Sequence, residues 1–228
     1  TERHDILWED WLNKKSISGQ LKGANLSYAQ MSNIDLEGTL LEGTNLYRAN
    51  LQGVNFSYTN LRGACLEYAD CTDANLSQAD LRGAYLSEAN LGHVNLQGSL
   101  CRDARLYRTN LRHALLKFSD FSGAFIVDTT FENAYMQNST LTNTSMYNTN
   151  LSGASLRNAD LNNIQCPSIT MINTDLANAN LEHADLFCVD LQSANLEGVN
   201  FKESDMRLAN LIGVNLCAAN LKNVNLLG

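Results

Sequence analysis

The chain has one proline, Pro167, and only 18% charged residues among its 228. No apolar run reaches the length of a membrane-spanning helix, and no leader pattern of a basic stretch followed by an apolar one opens it. Both tryptophans fall within the first 11 residues, so the remainder packs without its largest ring. No Cys-x-x-Cys pair, phosphate-binding glycine loop or Ser/His/Asp set occurs. These absences point to a protein without catalytic activity, metal or cofactor, and without a membrane span. No linker or low-complexity stretch divides the chain, so its length describes one body rather than two globular domains.

What is present is a period. Every fifth residue from Leu21 to Leu226 is apolar, 42 positions in unbroken register. The series runs Leu21, Leu26, Met31, Leu36, Leu41, through Phe56, Cys71, Cys101, Phe121, Ile126 and Cys166, to Leu216, Leu221 and Leu226. Two residues before each centre stands a small or β-branched residue, such as Ala24, Thr44, Val54 or Ala219. The residue just before the centre is most often Asn or Asp. A period of five matches neither a helix nor a strand. It is the signature of a solenoid.

The motif A-(N/D)-L-x-x, as in Ala24-Asn25-Leu26-Ser27-Tyr28 and Ala74-Asn75-Leu76-Ser77-Gln78, resembles the pentapeptide-repeat family over about nine-tenths of the chain. That resemblance implies an all-β solenoid, a right-handed quadrilateral β-helix with four pentapeptides per coil, so about 10.5 coils. At about 4.8 Å per coil the rod would be about 50 Å long. Residue n would then stack under n + 20, giving ladders such as Leu21–Leu41–Leu61 and Leu36–Phe56–Leu76. Gly23, Gly43, Gly63, Gly83 and Gly123 would share one tight corner.

The ends differ from the middle. Residues 1–20 are expected to form a lead-in and a short capping α-helix, because Ile6, Leu7, Trp8, Trp11 and Leu12 recur at helical spacing. Residues 21–228 form the repeat domain. No comparable cap follows Leu226, and an open end of stacked strands invites pairing. A partner, a homodimer through that end in the first place, or further chain would cover it.

Six cysteines would suffice for a disulfide framework, but Cys71, Cys101 and Cys166 replace central leucines and no two cysteines are 20 apart. They read as small buried hydrophobes in a reducing, cytoplasmic setting. Sequons such as Asn55-Phe56-Ser57 follow automatically from the repeat. The net charge of −8 is uneven: residues 21–118 carry 9 basic and 9 acidic groups, residues 119–228 carry 4 and 11. Arg102, Arg105, Arg108, Arg112 and Lys117 share one coil, which winds them into a belt over all four faces. The column Arg62–Arg82–Arg102 ends at Glu42 and Ser122. Neither is the basic stripe that direct nucleic-acid binding needs. His93 and His113, 20 apart, should stack, but two ligands beside Arg112 do not make a metal site.

Aromatics are distributed less evenly. Tyr47, Tyr107, Tyr147 and Phe187 occupy the outward position after the centre on one face, with Tyr28, Tyr68, Tyr85 and Phe125 on the same face or its edges. With Arg48 and Arg108 beside them, they are the candidate protein-binding residues, since exposed Tyr and Arg concentrate where partners dock. The expected function is a rigid regulatory or adaptor scaffold whose protein partner is unknown. The family resemblance implies a second class, acidic DNA mimics of the quinolone-resistance type that bind DNA gyrase. Those usually dimerise through a C-terminal apolar helix and carry loops that break the repeat; this chain has neither feature.

Overall fold

The computed structural model describes residues 21–227, and over them the chain is an all-β solenoid built from corner turns and single-residue parallel bridges. The helix expected over the first 20 residues lies outside the described residues. Bridges join residue n to n + 20 throughout, from Asn25↔Asn45 and Gln30↔Asn50 to Asp205↔Asn225, four to each coil. Twenty residues therefore close one four-sided coil, as the period requires. Among the described residues no helix is long and apolar enough to cross a membrane.

Nearly every corner is a hydrogen-bonded β-turn. The backbone N–H of the small inward residue donates to the carbonyl of the preceding centre, as in Ala24 N–Leu21 O at 3.0 Å and Ala64 N–Leu61 O at 3.0 Å. Every fifth residue from Gly23 to Asn223 has positive φ, the mark of a type II turn. Only eleven of these are Gly; the other thirty include ten Asn but also Tyr28, Tyr68, Arg48 and Phe118. The left-handed corner costs a non-glycine residue about 1 kcal/mol or more. Cooperative stacking on both sides holds it there. The corner N–H itself reaches the next coil, as Tyr28 N does to Tyr47 O at 2.8 Å.

The Asn or Asp before each centre has two tasks. Its Oδ1 accepts the backbone N–H two residues on, as Asn45 does from Tyr47 at 3.0 Å, closing an Asx turn. Where Asn stacks on Asn, the amide also donates to the Oδ1 one coil earlier, as from Asn95 to Asn75 at 3.1 Å. Asp can only accept, and it stands beneath donors: Asp35, Asp70, Asp160, Asp175 and Asp190 each receive an amide from the Asn 20 residues later.

The core is one continuous column of the central residues and the small residues two before them, nearly all fully buried from Leu36 to Met206. Phe121 and Phe131 meet edge to face across it at 6.2 Å. Inward threonines keep their hydroxyls satisfied by reaching a centre's carbonyl in the previous coil, such as Thr44 to Leu21 O at 2.6 Å and Thr174 to Leu151 O at 3.0 Å. Leu208, Ile212, Leu221, Leu226 and Leu227 are exposed in the last described coil.

Candidate functional site

Residues 45 to 48, with everything 20 apart from them, make one face of the rod. Centres such as Leu46 and Leu106 point inward and are fully buried, leaving three outward columns, those of Asn45, Tyr47 and Arg48. All six candidate residues and the four flanking aromatics lie in these columns.

Near the start of the rod, three tyrosines and an arginine interlock. Tyr47 meets Tyr28 at 5.8 Å and Tyr68 at 5.5 Å, both edge to face. The Arg48 guanidinium covers both Tyr47, at 5.4 Å, and Tyr68, at 5.2 Å. Arg48 has no carboxylate partner among the described residues, so these rings are its ordered contacts. Tyr28 and Tyr68 remain exposed at strained left-handed corners.

Three coils on, the same face changes its backbone. Strands β1 (Arg105–Tyr107), β2 (Phe125–Val127) and β3 (Ser145–Tyr147) form a parallel sheet in register, Leu106↔Ile126↔Met146. The corner hydrogen bond present at other levels, for example Ala89 N–Leu86 O at 3.1 Å, is missing among the described residues only at Thr109, Thr129, Thr149 and Ile169. These are four successive levels of this one face. At the first three, an aromatic or β-branched residue after the centre favours extension, and a threonine waits at the corner's end. Thr109 and Thr129 donate to Leu86 O at 2.9 Å and Leu106 O at 2.8 Å. Tyr47 is followed by Ala49 and Phe187 by Val189, and there the ordinary turn survives.

The opened stretch presents Tyr107, Phe125 and Tyr147, with Tyr85 at the ordinary level just before it, all exposed. Arg105 stacks on Tyr85 at 5.1 Å and forms no ion pair among the described residues. Arg108 covers Tyr107 at 4.9 Å, and its charge is shared between Glu88 at 3.5 Å and Asp128 at 3.7 Å. Phe187, half-buried, is covered by Arg207 at 5.4 Å, itself held by Asp205. The structure thus pairs Tyr47 with Arg48 and Tyr107 with Arg108. Tyr147 and Phe187 stand two and four levels beyond Tyr107, out of contact with it.

The sequence reading missed three things. Arg105 belongs to this face through its stacking, Val127 extends it, and Arg108 is largely neutralised. Only a model of the corner could have shown these, because the 20-residue register places columns but not side-chain partners. The rest of the arginine belt is also paired: Arg102 with Asp120 at 2.5 Å and Arg112 with Glu132 at 3.1 Å. His93 and His113 stack at 5.0 Å with an interplanar angle of 11°. No group of three metal-ligating side chains occurs among the described residues. All six cysteines are free; burial pushes the Cys71 and Cys101 thiols up to about 12 and raises that of Cys166 as well.

A family model described as pentapeptide repeats matches in eight copies, spanning residues 20–163 and 170–202. Among solved structures, that of HetL is similar, a pentapeptide repeat protein from the cyanobacterium Nostoc involved in regulating heterocyst differentiation. It has a TM-score of 0.76 at 24% identity, over 98% of this chain and 96% of that one. A trypsin-treated variant of QnrB1, a plasmid-mediated fluoroquinolone resistance protein, is similar with a TM-score of 0.62 at 19% identity, over 87% and 92% of the two chains. At these identities the likeness concerns the fold. No curated protein sequence matches the chain.

Proposed function

The chain belongs to the pentapeptide repeat family, and from that premise we propose that it is a non-enzymatic, rigid scaffold that docks a protein partner on its aromatic face. The reading takes the rod as right-handed with about 10.5 coils, as the family resemblance implies, and places it in a reducing, cytoplasmic setting. One observation carries it: six of the nine exposed Tyr and Phe side chains among the described residues lie in three adjacent columns, with Tyr58, Phe118 and Tyr135 on the opposite face, and the first face alone opens its corners into a sheet. A solenoid needs no exposed rings for its own stability, and Tyr with Arg are the side chains that dominate binding energy. Tyr47, Tyr107, Tyr147 and Phe187 are the anchors, with Arg48 and Arg108 as their hydrogen-bonding companions.

The test is affinity capture from the native host with Tyr107 and Tyr147 both truncated to alanine. Capture should weaken by about 2 kcal/mol or more, because hot-spot aromatics are worth that much. The melting temperature should hold, since both rings are exposed and outside the core. Unchanged capture would remove the aromatic face from consideration.

A second reading, mimicry of DNA toward gyrase, draws on the excess of acidic groups in residues 119–228 and on the fold likeness to QnrB1. Its acidic side chains lie on all four faces, and Asp175, Glu182 and Asp205 are paired with Arg157, Lys202 and Arg207. A supercoiling assay with purified gyrase separates the two. Under mimicry, neutralising Asp185, Glu203 and Asp205 should abolish an effect that the tyrosine variant leaves intact.

A further inference from the structure

Resting on the reading of the aromatic face as a docking surface, we propose that its occupant is a second copy of the chain, laid antiparallel and face to face. A two-fold axis lying between two such faces and perpendicular to both rods sets each outward column against itself, run in the opposite direction. The level of that axis is the only freedom left, and charge together with the placement of the aromatic rings selects it.

With the axis midway between β1 and β2, Arg105 faces Phe125 of the second copy, a cation over a ring. Arg108 faces Asp128 of the second copy. In the Tyr47 column, Tyr47 meets Phe187 and Tyr107 meets Val127; at the rod's ends, Tyr28 meets Leu208. Asp185 and Asp205 fall opposite Asn45 and Asn25, whose amides can donate to them. No like charges oppose one another anywhere along the face. Arg108 thereby finds an acid, and Tyr47 and Tyr28 of the first half find Phe187 and Leu208 of the second, while Arg48 falls opposite Cys188 and Tyr68 opposite Ser168.

Three other arrangements fail on the same residues, and the midway axes one level to either side, which also avoid like charges, lose the Tyr47–Phe187 contact and set Tyr107 against Pro167 or Ser87. Moving the axis to the level of β2 sets Asp128 against Asp128. Moving it to β1 sets Arg105 and Arg108 each against themselves. A parallel pair, with the axis along the rods, brings Arg105 onto Arg108. The uncommitted guanidinium of Arg105, stacked on Tyr85 at 5.1 Å without an ion pair among the described residues, makes the last two collisions costly.

The area is sufficient. Four residues at about 3.3 Å by ten coils at about 4.8 Å give roughly 600 Å² per copy, or about 1,200 Å² in all, at the lower end of specific interfaces. A reversible dimer at micromolar concentration is the expectation.

The experiment uses the full chain in sedimentation velocity, with thermal melts to confirm that each variant folds. Tyr47 and Phe187 stand seven coils apart in one chain, about 34 Å, and meet only across the antiparallel dimer. The wild type should sediment as a dimer, and Tyr47→Glu and Phe187→Lys should each be monomeric. Their equimolar mixture should recover the dimer, since a heterodimer holds one Glu–Lys contact and one native Tyr–Phe contact. A mixture that stays monomeric overturns the antiparallel pairing. A wild-type dimer indifferent to both substitutions places self-association elsewhere, as at the open end, and overturns it too. A wild type monomeric up to about 100 µM, well above the micromolar range that such an area supports, sinks the second copy. The docking reading itself would then still stand or fall on capture by the Tyr107 and Tyr147 double variant.

Discussion

Asn75 donates its side-chain amide to Oδ1 of Asn55, one coil earlier, at 3.1 Å. Its own Oδ1 accepts from Asn95 at 3.1 Å and from the backbone of Ser77 at 3.2 Å. The ladder therefore has a direction, with donors reaching toward the start of the chain and an Asp, Asp35, at its foot.

That direction makes Asn and Asp unequal at positions where the repeat tolerates both. Asn75→Asp removes the donor to Asn55 and sets carboxylate oxygen against amide oxygen. It should cost about 1–2 kcal/mol in chemical denaturation, the loss of one hydrogen bond plus an unsatisfied acceptor. Asp35→Asn keeps the acceptor that Asn55 uses and should change stability by less than about 0.5 kcal/mol. Equal effects from the two substitutions would show that the ladder is incidental.

The coil register was legible in the sequence because the core demands it. One missed apolar centre such as Leu116 or Phe121 would break a dry column, so the period survives as an unbroken series. The columns of the candidate face followed from that register, including Tyr47, Tyr107, Tyr147 and Phe187. What the register could not reveal was the local backbone. Neither a threonine at the corner nor an aromatic after the centre opens a turn alone: Thr44 and Ala49 both sit in ordinary corners. The pairs Tyr107/Thr109, Val127/Thr129 and Tyr147/Thr149 stand at opened corners, yet Thr142/Thr144 and Ile172/Thr174 on other faces keep their turn bonds at 3.3 Å, so residue type alone does not set the opening. Nor does spacing tell that Arg105 is uncommitted while Arg108 is shared between Glu88 and Asp128.

Acid should weaken the rod, and Asp70 shows how. Burial pulls its carboxyl up, but the Thr72 hydroxyl and backbone, Gln52 and Asn90 all donate to it, and together they hold it below the ordinary carboxylate range. A carboxyl depressed in the folded state contributes stability above its unfolded value of about 3.9, and loses it as pH falls through the folded value. Asp80 and Asp120 behave alike, each held down by donors that include a neighbouring arginine. Thermal melts should fall steeply below about pH 4. Asp70→Asn should cost at most about 1 kcal/mol at pH 7, and the penalty should shrink as pH falls below about 4. A penalty independent of pH would contradict the assignment.

Thiol reactivity should divide the cysteines by place in the coil. Cys71, Cys101 and Cys166 are fully buried with raised thiols, so thiolate is scarce and inaccessible. Cys217 is exposed, and Cys65 and Cys188 are intermediate. Alkylation of the native protein followed by peptide mapping should modify Cys217 first, then Cys65 and Cys188. The remaining three should react only after unfolding, when six free thiols titrate. Early labelling of Cys101 would mean that the column breathes at β1.

Thr129 tests the opened corners. Its hydroxyl donates to Leu106 O at 2.8 Å and to Val127 O at 3.1 Å, and lies 3.4 Å from the donating N–H of Thr109. Valine has nearly the same shape and none of these bonds. Thr129→Val should therefore strand buried backbone groups at two levels and cost about 1–3 kcal/mol. Thr174→Val is the control: its hydroxyl meets Leu151 O at 3.0 Å, but its corner keeps the ordinary Thr174 N–Met171 O bond at 3.3 Å. Fewer groups depend on it, so its cost should be the smaller. If the hydroxyl holds the sheet open, Thr129→Val should also let the corner after Ile126 close, drawing Val127 and its neighbours Tyr107 and Tyr147 out of their common plane. Partner capture should then fall along with stability, whereas Thr174→Val, on another face, should leave capture untouched. Equal stability losses with unchanged capture in both would mean that the sheet is a consequence of the aromatic residues alone.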